Sequence, residues 1–195
     1  MNRESLEKLR YPIGKFDWND ERSPDVLEKA IVEIKTFPSK LSETVSALPT
    51  KTMQHRYRPN GWTIAQVIHH LADSHMHSYL RFKHALLENN PSIKDYEESQ
   101  WANLPDASRT EIDYSLNLIT ALHYRWTLFL RSLTRDDFKK SYYYPERNKN
   151  YPLDSILNSS IKDLYKADGL KMDKDELCVG VMAFNQNKFP NILRN

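Results

Sequence analysis

Apolar residues recur along most of the chain at spacings of three and four. Val26, Leu27, Ala30, Ile31 and Ile34 open such a run behind Ser23-Pro24. Serine at the N-cap and proline at the first helical position start a helix, and the i, i+3, i+4 spacing gives it one apolar face. Pro38 lacks a backbone N–H and is expected to kink or interrupt this helix. Leu41, Val45 and Leu48 resume the pattern as far as Pro49, so the predicted helix covers roughly 24–48. Residues 50–61 read as a connector ending in the turn Pro59-Asn60-Gly61.

A second helix is predicted over 63–88. Thr63 with Gln66 three residues on forms a capping box. Ile64, Val67, Ile68, Leu71, Ala72, His75, Tyr79, Phe82 and Leu86 then mark one face, and the helix stops before Asn89-Asn90-Pro91. Residues 89–109 show no period and contain Pro91 and Pro105. A loop of that length is uncommon inside a compact domain and is often functional. It is expected to cover one end of the molecule near His70, anchored by Trp101. A third helix fits 111–133, with Leu116, Ile119, Leu122, Trp126, Phe129, Leu130 and Leu133. Thr134-Arg135-Asp136-Asp137 is a second capping box opening a short helical turn. Tyr142, Tyr143 and Tyr144 are extended in character and suit a short strand against the helices, and 146–151 is a polar turn. Pro152 then opens a fourth helix over 152–167, carrying Leu153, Ile156, Leu157, Ile161, Leu164 and Tyr165 and stopped by Gly169. These patterns predict an all-α four-helix bundle with a long loop between helices two and three, as one domain over 1–195 with an irregular lead-in at 1–23.

Charge and composition narrow the function classes. Lys plus Arg number 28 against 26 Asp plus Glu, mixed along the chain, so the basic stripe of a nucleic-acid binder is missing. Only 4 glycines occur, which disfavours a glycine-rich phosphate loop. No run of about 18 apolar residues is long enough to span a membrane. The N-terminus has no apolar secretory core, and Cys178 is the only cysteine and reads as a small apolar residue. A cytoplasmic location is expected.

Seven histidines remain: His55, His69, His70, His75, His77, His84 and His123. At about 100° per residue, His75 points with Ile64 and Phe82 into the apolar face, as a core histidine. His70, Ser74, His77 and Arg81 form a separate polar stripe. His70 and His77 lie about 10 Å apart along the axis, too far to share an ion. His70 with Asp73, or His69 with Asp73, could share one. Neither pair reaches the three protein ligands of a catalytic zinc site.

The run Arg58-Pro59-Asn60-Gly61-Trp62-Thr63-Ile64-Ala65-Gln66-Val67-Ile68-His69-His70-Leu71-Ala72-Asp73-Ser74-His75-Met76 resembles the signature helix of the DinB/YfiT-like family. Tyr11-Pro12-Ile13-Gly14, the loop from Pro91 to Leu104 with Lys94, Tyr96 and Trp101, and His123-x-x-Trp126 with Leu133-Thr134 extend the resemblance over about 11–157. That family comprises four-helix-bundle metal-dependent proteins, among them bacillithiol S-transferases and metal-dependent hydrolases. The resemblance implies a divalent metal, zinc or nickel, held by three histidines, a small-molecule thiol and an electrophile as reactants, and a homodimer. It places the first ligand at His70. The other two fall on the fourth helix, where this chain departs from the family pattern after Leu157. Tyr151-Pro152-Leu153-Asp154-Ser155-Ile156-Leu157 follows it, and then Asp163 and Ala167 stand where two histidines are expected. Tyr144 also replaces a histidine that precedes the proline in relatives. Asp163 offers one oxygen ligand and Ala167 none. Two accounts fit 158–195: a tail replaced by a frameshift or other gene lesion, which the abrupt change after Leu157 favours, or a diverged member that has lost the metal, for which the helical apolar spacing through Tyr165 speaks.

Other polar and aromatic positions carry two readings each. Arg81 and Lys83 form either a solvated face or a cationic hold for carboxylates. Trp62, Trp101 and Trp126 are core residues or pocket walls, and His123 is a structural residue, a partner to a ligand, or a base. The functional expectation is a metal-dependent thiol S-transferase or hydrolase impaired by two missing ligands. The alternative is a metal-free helical binding module or inactive remnant.

Overall fold

The structure is a computed structural model that describes residues 23–56 and 60–157. Helix α1 runs Pro24–Ser46, and α2 runs Ile64–Leu87. A single turn, α3, follows at Glu98–Trp101, then the long α4 at Asp113–Arg131 and the short α5 at Arg135–Lys139. Strands β1 (Ser141–Tyr144) and β2 (Lys149–Pro152) pair as an antiparallel hairpin, with Tyr142 opposite Tyr151. Residues 153–157 are again helical. Both α1 and α2 pack on α4.

The start of α2 is built as its sequence predicts. The Thr63 hydroxyl accepts from Gln66 N–H while the Gln66 side chain accepts from Thr63 N–H, closing the capping box. Thr134 and Asp137 repeat the device at α5. The apolar faces meet in one core around Trp126, Phe82, Ile34, Ile68, Ile119 and Leu130, none more than 1% exposed. Leu153, Ile156 and Leu157 join that core from the end of the described chain. Burying side chains of this size stabilises by about 1.5–3 kcal/mol each.

Three local features differ from the sequence expectation. Helix α1 continues through Pro38 rather than breaking. Proline leaves the carbonyl four residues earlier, that of Ile34, without an intrahelical donor. His123 of α4 supplies one: its Nδ1 lies 2.6 Å from Ile34 O. Second, residues 149–151, expected as part of a polar turn, pair as β2; Pro152 ends that strand, where no N–H is needed, and the helical residues 153–157 follow it directly, as expected. Asn148 makes the hairpin turn in the left-handed region at φ 47°, which an asparagine tolerates. Third, the loop 89–109 holds the α3 turn, and its first part joins the hairpin edge. Tyr143 N–H donates to Pro91 O at 2.9 Å, and Ile93 N–H to Tyr143 O at 3.0 Å.

Candidate functional site

The polar stripe of α2 forms the floor of the candidate site. His70, Ser74, His77 and Arg81 are all half-buried, whereas the apolar face of the same helix is closed off. What covers them is the loop after α2. The Tyr96 ring stacks on His77 with centroids 4.1 Å apart and planes at 10°, and Trp101 packs against both, 4.8 Å from Tyr96 and 5.1 Å from His77. Trp62 closes the other side of His70 at 4.7 Å. The three tryptophans therefore divide: Trp126 is core, while Trp62 and Trp101 wall the site. Trp101 anchors the loop over His77 and reaches the His70 end through Tyr96, whose ring lies 6.3 Å from that of His70.

Two hydrogen bonds fix the loop to α2. Gln66 uses its remaining amide group to donate to Ala102 O at 2.6 Å. His69 is consumed in the same way. Its Nε2 lies 3.1 Å from Arg109 O, and a carbonyl only accepts, so Nε2 carries the proton and Nδ1 accepts from the Ser115 hydroxyl at 2.7 Å. Both ring nitrogens of His69 are thus occupied, which removes the pairing of His69 with Asp73.

The histidines separate by environment. His75 and His123 are buried between α1, α2 and α4, with His75 Nδ1 2.7 Å from His123 Nε2. Burial holds His123 down to about 4 and, followed by the neighbouring His123, takes His75 well below the ordinary imidazole range. His123 is accordingly structural. His84 is exposed beside Glu88, and His55 is exposed on the connector. His77 is lowered by burial and then by Arg81. His70 is left at the mouth, with the Tyr96 hydroxyl 3.4 Å from its Nδ1. Burial, then Glu98, pushes the Tyr96 phenol up, so it stays protonated. Burial, then Asp106, raises Asp73 despite His69 nearby.

As a metal centre this set is incomplete. Among the described residues, no three His, Cys, Asp or Glu side chains converge as ligands. His70 stands without two further protein ligands from described elements, and Asp163 and Ala167 lie outside the described residues. Tyr144, at the position of an expected histidine, is packed at 5.7 Å from Tyr151 and 6.3 Å from Tyr142 in the hairpin.

The DinB superfamily pattern matches residues 33–158. The chain belongs to the DinB superfamily. Among curated proteins, it is 43% identical over 141 residues to one named "Putative metal-dependent hydrolase" in Bacillus mycoides (strain KBAB4), spanning 72% of this chain and 81% of that one. A relative of the same name in Bacillus cereus (strain 03BB102) matches with the same figures. Among solved structures, YfiT from Bacillus subtilis superposes with a TM-score of 0.78 at 37% identity, over 82% of this chain and 91% of that one. YfiT is described as "a probable metal-dependent hydrolase with an unusual four-helix bundle topology". The four-helix-bundle class read from the periodicity is therefore correct. No helix among the described residues is long and apolar enough to cross a membrane.

The sequence missed Asp95 and Arg147, which the structure brings beside Arg81, and it missed the tie of His69 to Arg109 and Ser115. The signal for the former lay in the hairpin, where three consecutive tyrosines run through Pro145 into the charged turn residues Glu146 and Arg147. Lys83 is not part of this group: its ammonium lies over Tyr79 and Phe129, at 4.9 and 5.2 Å.

Proposed function

We propose that the chain is a metal-dependent thiol S-transferase or hydrolase of the DinB type by descent, impaired in holding its metal. The observation that carries this reading is the absence of a three-ligand group at His70 among the described residues. His70 occupies the family's first ligand position, on the stripe roofed by Tyr96. The sequence beyond His123 holds no further histidine. The relatives' names support a metal-dependent activity as the ancestral one. In the intact case a divalent ion, zinc or nickel, supplies Lewis acidity that lowers the pKa of bound water or thiol. The described residues do not complete a site for such an ion, so no step is derived through it.

What the chain's own groups do is bind and shelter. Trp62, Tyr96 and Trp101 exclude water around His70, and the protonated Tyr96 hydroxyl is a donor beside it. The same reading carries a small-molecule thiol and an electrophile as reactants, a cytoplasmic location and a homodimer.

The test is restoration. Asp163→His with Ala167→His is expected to raise zinc or nickel retention at least tenfold over the unaltered chain, and to bring thiol transfer or ester hydrolysis above its level. The scale follows from metal sites, where even an indirect partner of a ligand is worth about 10- to 100-fold in affinity. No gain in retention would mean that 158–167 does not follow the family's fourth helix, and the reading would fail there.

A further inference from the structure

The polar stripe continues one turn beyond His77 to Arg81. There Arg81 Nη2 meets Asp95 Oδ1 at 2.6 Å, and the guanidinium carbon lies 5.9 Å from the ring centres of both Tyr142 and Tyr144. Arg147, on the hairpin turn, reaches the same tyrosine. Its guanidinium carbon is 5.1 Å from the Tyr144 ring, and it donates to the Tyr151 hydroxyl. Two guanidiniums thus approach one aromatic ring, and Asp95 is paired with the first of them.

A purely structural tie pairs charges one to one. Here Arg81 has five N–H donors, its side chain is only 14% exposed, and its Nε is buried with no hydrogen-bond partner among the described residues. A buried donor of a charged group is costly to leave unpaired. Aromatic faces hold a guanidinium through the ring quadrupole and leave its N–H edge free to fork onto an oxyanion. The surrounding tyrosines are buried, and burial, aided by Asp95 and opposed by Arg81, pushes the Tyr142 phenol up to about 12, so it adds no negative charge.

The location relates this cluster to His70. Eleven residues separate His70 from Arg81, three helical turns on one face, or roughly 16 Å along the axis. Helical side chains lean toward the N-terminus, so Arg81 leans back toward His77 and His70. Its field already reaches His77.

We propose that Arg81 and Arg147 form an oxyanion subsite at the far end of the His70 groove. It takes the carboxylate- or phosphate-bearing end of an elongated substrate whose reacting end lies at His70. This rests on the reading of the groove as a small-molecule site. Asp95 competes with the anion for Arg81, Arg147 closes on the anion from the accessible turn, and Tyr142 and Tyr144 form a stiff floor that keeps the contact dry.

The test uses the full chain freed of metal by chelation, so that it does not depend on the metal site. Succinate and inorganic phosphate are titrated separately by calorimetry at low salt. One saturable site is expected for at least one probe, and which probe binds identifies a carboxylate or a phosphate end. Arg147→Gln, on an exposed turn, is expected to weaken it at least tenfold with little change in Tm. Asp95→Asn removes the competing carboxylate and is expected to tighten binding severalfold, whereas a structural ion pair would lose stability and gain no anion affinity. Absence of saturable binding, equal binding in Arg147→Gln, or no gain in Asp95→Asn would overturn the subsite. Failure of metal restoration with intact anion binding would instead count only against the metal reading.

Discussion

At the scale of single residues, a proline on one helix and a histidine on another solve one problem together. Pro38 strips Ile34 of its helical donor, and His123 replaces that donor from a position 89 residues along the chain. Because a carbonyl only accepts, His123 carries its proton on Nδ1. Its Nε2 then accepts from His75 Nδ1–H, and His75 Nε2 is buried with no partner among the described residues. Two predictions follow from this chain of bonds. His123→Leu orphans the Ile34 carbonyl and should cost about 2–4 kcal/mol. Adding Pro38→Ala restores an amide N–H at the i+4 position. Its benefit should be larger in the His123→Leu background than in the unaltered chain by about 1 kcal/mol, measured by urea unfolding. Equal effects in both backgrounds would remove the link. The second prediction concerns pH. His123 sits at about 4 when folded and near 6.5 when unfolded, so the unfolded chain binds more protons between those values. Stability is therefore full above about pH 6.5 and falls as pH drops toward 4, by roughly 3 kcal/mol for this group. A His123→Asn variant should show a shallower decline over that range than the unaltered chain.

At the scale of elements, α2 was the most legible part of the chain. Its 3.6-residue period, its Thr63–Gln66 cap and its separate polar stripe are all local properties that the sequence displays. The single helix over 24–48 was legible, but how it carries Pro38 was not, because His123, which replaces the lost donor, is a long-range partner that no local window contains. The strand at 149–151 was hidden because the pairing of Tyr142 with Tyr151 makes it, and strand pairing is equally non-local. Gln66 shows how one residue serves both levels. Its carbonyl oxygen completes the helix cap, and its amide nitrogen holds Ala102 in the loop. Gln66→Glu keeps the cap acceptor but sets a carboxylate oxygen against the Ala102 carbonyl. The expected result is an α2 start that stays intact while residues 98–109 exchange amide hydrogens at least tenfold faster. Unchanged exchange in the loop would show that Trp101 and His69 hold it unaided.

At the scale of the whole molecule, the loop, the tyrosine hairpin and Arg81 are arranged around the α2 stripe, while among the described residues no three-ligand group forms at His70. The position of His70 came from the family resemblance; helical spacing alone left it among several polar residues. That His69, His75 and His123 do not join it as ligands follows from their commitments elsewhere, which only the folded contacts reveal. The most direct test of the central claim is the metal content of the purified full chain, by elemental analysis after prolonged dialysis, compared with His70→Ala. The account predicts well under one zinc or nickel per chain in both proteins. Near-stoichiometric metal that disappears in His70→Ala would contradict it, and would show that His70 is joined by ligands this account does not assign.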